Sequence, residues 1–227
     1  MKIDDVIVRH KGNAKVVDAL DEIVIAGNIQ RINPVVIVGD SGTGKTCILK
    51  ALRDVLRLEH SEQSVLHMRC EEYVNLYIEA LQSNRVQNFG NRMKVGVKAL
   101  LVDDIDNLVE LTAPTFELTQ RIDELMQDDI KIVLTSSVPI KELRTKCVTK
   151  QFVGRIAQGT ELNLSRPDAE GCSAIVKHIL ERERRTLPQT TIDRIVDSFD
   201  GGLHSLVGQV HNAILDSYLE QKQETGK

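Results

Sequence analysis

The run Gly39-Asp40-Ser41-Gly42-Thr43-Gly44-Lys45-Thr46 sets three glycines ahead of a Lys-Thr pair, a combination suited to gripping phosphate. In this GxxxxGK[ST] pattern, glycines let the backbone turn tightly and aim its N–H groups at phosphate oxygens. Lys45 would reach the β- and γ-phosphates, and the Thr46 hydroxyl would ligate Mg²⁺. Cys47 follows within the same first helical turn. Further along, Asp103-Asp104 closes an apolar stretch, the layout of a Walker B element. Asp103 is the expected metal ligand and Asp104 the group that polarises an attacking water. The expected ligands are therefore ATP or ADP with Mg²⁺. The blander readings are a decorative glycine turn and a solvated acidic strand end; correct flanking elements argue against both.

Those elements are legible around the motifs. Val35-Val36-Ile37-Val38 is β-branched and short, the composition of a buried parallel strand, and it leads into the loop. A helix over about 45–58 follows, with Ile48, Leu49, Leu52, Val55 and Leu56 at helical spacing. Further strands are expected at Val65–Met68, Ala99–Val102, Ile130–Leu134 and Glu161–Leu164. Helices are expected over 13–25, 71–82 and 115–127, with 84–93 extending or repeating the second of these. Strands alternating with helices indicate a parallel sheet flanked by helices. After Arg166-Pro167 the pattern becomes helical only, over 168–184, 190–199 and 203–221, and the polar tail after Leu219 is expected to fray. The expected organisation is a nucleotide-binding core over 1–165 and a small helical lid over 166–227.

Composition narrows the classes. The 227 residues carry a net charge of −4, which argues against a stand-alone duplex-DNA binder needing a basic face. No apolar run approaches the ~20 residues of a membrane span. The N-terminus lacks the layout of a signal peptide, so a cytoplasmic protein is expected. The four cysteines and six histidines are scattered without paired spacing, which favours reduced thiols and no zinc site.

In combination and order, these motifs resemble the AAA+ ATPase module of the bacterial replication initiator family, DnaA and its shorter relative Hda. The resemblance runs from about Ile3 to Tyr218. Asp4-Asp5-Val6-Ile7-Val8 looks like the stretch that holds adenine, which assigns Ile7 and Val8 to the nucleotide. Glu71-Glu72-Tyr73-Val74, continuing through Ala80-Leu81-Gln82, resembles the extra helix that marks initiators. Leu100 to Ile105 is close to the family Walker B, and Ile132-Val133-Leu134-Thr135-Ser136 to its sensor 1 strand, which places Ser137 at the nucleotide. Gly154-Arg155-Ile156 falls at the arginine finger, and Gly201 to Leu206 at sensor 2. The resemblance implies an AAA+ P-loop NTPase acting as an ATP-dependent switch in replication initiation or its regulation. Its assembly partner would be itself or a related AAA+ protein, through an ATP site that Arg155 completes from the neighbour.

Three departures from the family qualify this. Ser137 stands where an acidic residue is usual, and His204 where sensor 2 usually has Arg. A neutral imidazole offers no fixed cation to the γ-phosphate, so weak hydrolysis or weak discrimination of ATP from ADP is expected. The chain also stops after the lid, so no autonomous reading of duplex DNA is expected. The stretch Asp106 to Thr112 lacks the basic residues that initiators present to single strands. The nearby Arg85, Arg92, Lys94 and Lys98 leave single-stranded DNA open as a partner, against a solvated helix face. Tyr73 and Tyr77 suit helix packing better than base stacking, and Glu181 to Arg185 a solvated face. The alternative functions are a non-hydrolysing nucleotide-binding adaptor and a helicase loader.

Overall fold

The computed structural model describes residues 1–27, 32–108, 110–147 and 149–225. Five parallel strands form one sheet: β1 Val35–Val38, β2 Val65–Arg69, β3 Ala99–Asp103, β4 Lys131–Ser136 and β5 Thr160–Asn163, in the order β2-β3-β4-β1-β5. Every pairing is parallel, so each connection crosses over through helices. The helices are α1 Ala14–Leu20, α2 Lys45–Glu59, α3 Cys70–Gln82, α4 Val86–Arg92, α5 Thr112–Gln127, α6 Ile140–Lys146, α7 Lys150–Ile156, α8 Ala169–Arg182, α9 Gln189–Asp197 and α10 Leu203–Thr225.

Alternation along the strands sorts the core into two layers. Val35, Ile37, Leu101 and Val133 point to the side covered by α1 and α2, where Val16, Leu20, Leu49 and Leu52 meet them. Val36, Val38, Leu100, Val102, Ile132 and Leu134 point to the opposite side. There Tyr73, Phe89, Leu118, Ile122, Phe152 and Ile156 close over the sheet. Burial on both faces is why β1 reads as an unbroken apolar run.

The chain divides into two compact units. The first is Met1–Ile7, Lys15–Asp40 and Lys45–Leu164, and the second is Val8–Ala14, Ser41–Gly44 and Ser165–Lys227. The second unit has its own core, in which Cys172, Val176 and Leu180 of α8 pack with Ile192 and Ile195 of α9 and Leu206 and Val210 of α10.

Several sequence expectations are refined. The 13–25 helix ends in a turn of π-helix over Asp21–Ile25. Residues 84–93 form a separate helix, α4, because Asn84 takes a left-handed conformation (φ 54°) that ends the previous helix. Two helices went unread, α6 and α7; each has only seven residues, too few for a periodic pattern to stand out among Lys and Arg. Beyond Leu219, where a frayed tail is expected, α10 runs on to Thr225 through good helix formers, and residues 226–227 of that tail lie outside the described residues. Tyr73 is fully buried and packs edge-on against Phe89 at 5.5 Å, in line with the packing reading.

Candidate functional site

The ends of β1, β3 and β4 bring the sequence-predicted chemistry together. Gly39 continues β1, and its N–H donates to the Ser136 carbonyl at the end of β4 (3.2 Å). The chain then passes through the glycine loop into α2, whose first residues are Lys45 and Thr46. Gly42 (φ 80°) and Gly44 (φ 101°) adopt left-handed backbone conformations, which explains the glycine spacing. Within the second unit, the Gly42 carbonyl accepts the Leu203 N–H at 2.9 Å, and a Cβ on Gly42 would lie 2.9 Å from the Gly202 Cα.

Lys45 is buried, and its ammonium donates to the carbonyls of Gly39 (2.7 Å) and Asp40 (3.1 Å) and to the Ser137 hydroxyl (3.3 Å). The Thr46 hydroxyl donates to Asp103 Oδ2 at 2.6 Å. Asp103 is fully buried at the end of β3, and its other oxygen accepts the Thr135 hydroxyl at 2.5 Å. Thr135 in turn accepts the Asp104 N–H at 2.8 Å, and the Ser137 N–H donates to Asp106 at 3.0 Å. Burial, and then the adjacent Asp103 carboxylate, push the Asp104 carboxyl above the ordinary range, while Lys45 pulls the other way. A carboxylate raised in this way is a stronger proton acceptor once ionised.

The structure thus unites Gly39, Asp40, Lys45, Thr46, Asp103, Asp104 and Ser137. Ser41 and Thr43 complete the loop sequence, Thr43 buried and Ser41 exposed. Cys47 stands in the first turn of α2, with residue surface open to solvent but its sulfur partly desolvated by neighbouring atoms, which raises the thiol's pKa. Ile7 is packed against the core beside α1 and α2, and the Val8 carbonyl accepts the Asn13 side-chain amide at 2.9 Å. His204 is exposed in the first turn of α10. Arg155, in the last turn of α7 and 41% exposed, forms its ion pair through Nε with Asp123 of α5. Thr135, Asp106 and Asp123 are the contributors that motif reading left out. Lys94, from the basic cluster, pairs with Asp128 at 3.1 Å, while Arg85 and Arg92 line a cavity of about 270 Å³ between α3 and α4. Val109, within the stretch read as lacking basic residues, lies outside the described residues. No helix among the described residues is long and apolar enough to cross a membrane.

A parallel sheet with a glycine loop after β1, between β4 and β5, and a Lys-Thr pair facing a buried strand-end carboxylate defines a P-loop NTPase of the AAA+ class. Within that class, the family described as the bacterial DnaA ATPase domain matches residues 4–162, and the chain belongs to it. The chromosomal replication initiator protein DnaA of Pseudothermotoga lettingae is 26% identical over 191 residues, covering 84% of this chain and 43% of that protein. Domain III of DnaA from Thermotoga maritima superposes with a TM-score of 0.84 at 26% identity, covering 98% of this chain and 89% of that one. A replication initiator DnaA bound to AMPPCP and single-stranded DNA shares the fold, with a TM-score of 0.82 at 22% identity over 99% of this chain and 68% of that one. The chain spans less than half the length of the curated relatives it matches.

Proposed function

We propose that this DnaA-family ATPase module binds ATP and ADP with Mg²⁺ and acts as an assembling switch in replication initiation or its control. The observation that carries the reading is the Lys45–Thr46–Asp103 arrangement at the mouth of the sheet. Adenine nucleotide is the choice because an AMPPCP-bound initiator shares the fold and the loop is intact here. Lys45 holds its ammonium against loop carbonyls, ready to exchange them for β- and γ-phosphate oxygens. Thr46 and Asp103 present two oxygens side by side, a hard donor pair that fits Mg²⁺, which takes few protein ligands. Bound there, Mg²⁺ would neutralise phosphate charge.

Asp104 is the residue that accepts a proton from the attacking water. Ile7 and Val8 contact adenine, and His204 stands in place of the usual sensor 2 Arg, so turnover is slow. The division into a core over 1–165 and a lid over 166–227 is part of the same reading, as is a cytoplasmic setting. Arg155 completes the ATP site of a neighbouring copy or a related AAA+ protein, a contribution worth 10³-fold or more in rate where such fingers act. Single-stranded DNA, seen with the related initiator, is a further partner to test.

The test is mass by light scattering with ADP, ATP and AMPPCP for wild type and Arg155→Ala. Larger species with ATP that vanish in the variant are expected. A monomer unchanged by nucleotide would overturn the assembling switch. Turnover abolished by Asp104→Asn would separate it from an adaptor that binds without hydrolysing.

A further inference from the structure

Asp104 takes a left-handed conformation (φ 59°) directly after β3, and its carbonyl accepts the Asn107 N–H at 3.1 Å. The chain therefore doubles back at once, in a short helical turn over Ile105–Leu108. Ile105 and Leu108 are buried in the core on either side of Asp106, which fixes that turn in place. Asp106 consequently lies beside the loop leaving β4, and its Oδ1 accepts the Ser137 N–H at 3.0 Å. The Ser137 hydroxyl in turn accepts from the Lys45 ammonium at 3.3 Å. Two hydrogen bonds thus connect a carboxylate outside the glycine motif to the lysine inside it.

We infer that Asp106 is a positioning residue for telling ATP from ADP: it holds Ser137 where the outermost phosphate meets Lys45. The inference rests on the nucleotide reading above. A lysine of this motif reaches the β- and γ-phosphates, so a hydroxyl within hydrogen-bond range of its ammonium stands at the outer end of the phosphate chain. The N–H groups of the glycine loop serve the phosphates that ATP and ADP share. Ser137 therefore has more to offer ATP, and its position depends on the Asp106 carboxylate. Without that acceptor the Ser137 N–H loses its partner and the loop after β4 relaxes, while the glycine loop keeps its own backbone geometry.

The experiment measures equilibrium affinities of the full chain for ATP and for ADP, with Mg²⁺, by competition against a fluorescent nucleotide. Asp106→Ala is expected to weaken ATP by roughly tenfold, the value of one hydrogen bond of this kind, and ADP by less than about twofold. Asp106→Asn keeps an oxygen acceptor and should stay near wild type. Ser137→Ala should reproduce the Asp106→Ala ratio, and the double variant should lose no more than either single one, because both remove the same contact. Equal weakening of ATP and ADP in Asp106→Ala would make the residue merely structural and overturn the inference. So would an unchanged ratio, or additive losses in the double variant. Wild-type protein that binds neither nucleotide would overturn the nucleotide reading itself, and this inference with it.

Discussion

Asp103 has no exposed surface and two hydroxyl donors, Thr46 at 2.6 Å and Thr135 at 2.5 Å. Replacing Thr135 with Val keeps the shape and β-branching that suit a strand but removes the hydroxyl. The Asp103 oxygen then loses one charge-assisted hydrogen bond, worth about 1.5–3 kcal/mol. The Asp104 N–H also loses the acceptor it finds at 2.8 Å, adding roughly 1 kcal/mol because that residue is only half-buried. The expected destabilisation is therefore about 3 kcal/mol, a fall of roughly 6–12 °C in melting temperature for a chain of this size. Thr135→Ser is the control: it keeps the hydroxyl and loses a methyl worth about 0.8 kcal/mol. Thermal unfolding followed by circular dichroism reads both variants. Nucleotide affinity should fall in Thr135→Val and hold in Thr135→Ser, since Asp103 keeps its orientation only in the second. If Thr135→Val is as stable as Thr135→Ser, the hydroxyl does not anchor Asp103 and the cross-strand account of the site is wrong.

Three further outcomes can be measured by the same unfolding assay. A Cβ on Gly159 would fall 1.7 Å from the Pro34 carbonyl oxygen, where β1 and β5 begin to pair; Gly159→Ala should cost about 3 kcal/mol or more, and a loss under about 1 kcal/mol would contradict that packing. Gly208, exposed in α10 with nothing near its missing Cβ, should behave oppositely and gain about 0.5–1 kcal/mol as Ala. His10 is buried and its Nδ1 accepts the Gly12 N–H at 3.1 Å; burial lowers its pKa, although Asp168 pulls upward. A base whose folded pKa is depressed contributes stability above its unfolded value of about 6.5, and loses it as pH falls through the folded value. Wild type should therefore lose more stability than His10→Gln between pH 7.5 and 5, and parallel pH curves for the two would refute the assignment.

The chemistry legible in the sequence was the chemistry that is contiguous. The glycine loop places its phosphate-facing backbone, Lys45 and Thr46 within eight consecutive residues, and the Asp103–Asp104 pair announces itself by closing an apolar strand. The alternating sheet could be read because strands buried on both faces leave β-branched runs that few other elements need. Thr135 and Asp106 escaped because their partners lie 32 and 31 residues away, and the adjacency of β3 and β4 exists only once the sheet is ordered. A signal was nonetheless present, in the hydroxyl run Thr135-Ser136-Ser137 that ends one strand and the carboxylate pair that ends another. The Arg155–Asp123 ion pair left no comparable trace. It joins α5 to α7, and α7 was itself too short to read.

This division has a physical cause that bears on the departures from the family pattern. Parallel strands all end on the same edge of the sheet, so any group placed at a strand end becomes a neighbour of the groups ending the others. A site built that way can change which strand end supplies a given interaction. The resemblance leads to an acidic residue being expected at position 137, and although Ser137 stands there, an acidic side chain meets that position from Asp106 on the turn after the neighbouring strand. The left-handed turn at Asp104 makes that possible, by folding the residues after β3 back toward the end of β4 within three positions. A serine read in isolation looks like a lost function; read with the strand beside it, it is a hydroxyl held by a carboxylate and aimed at Lys45.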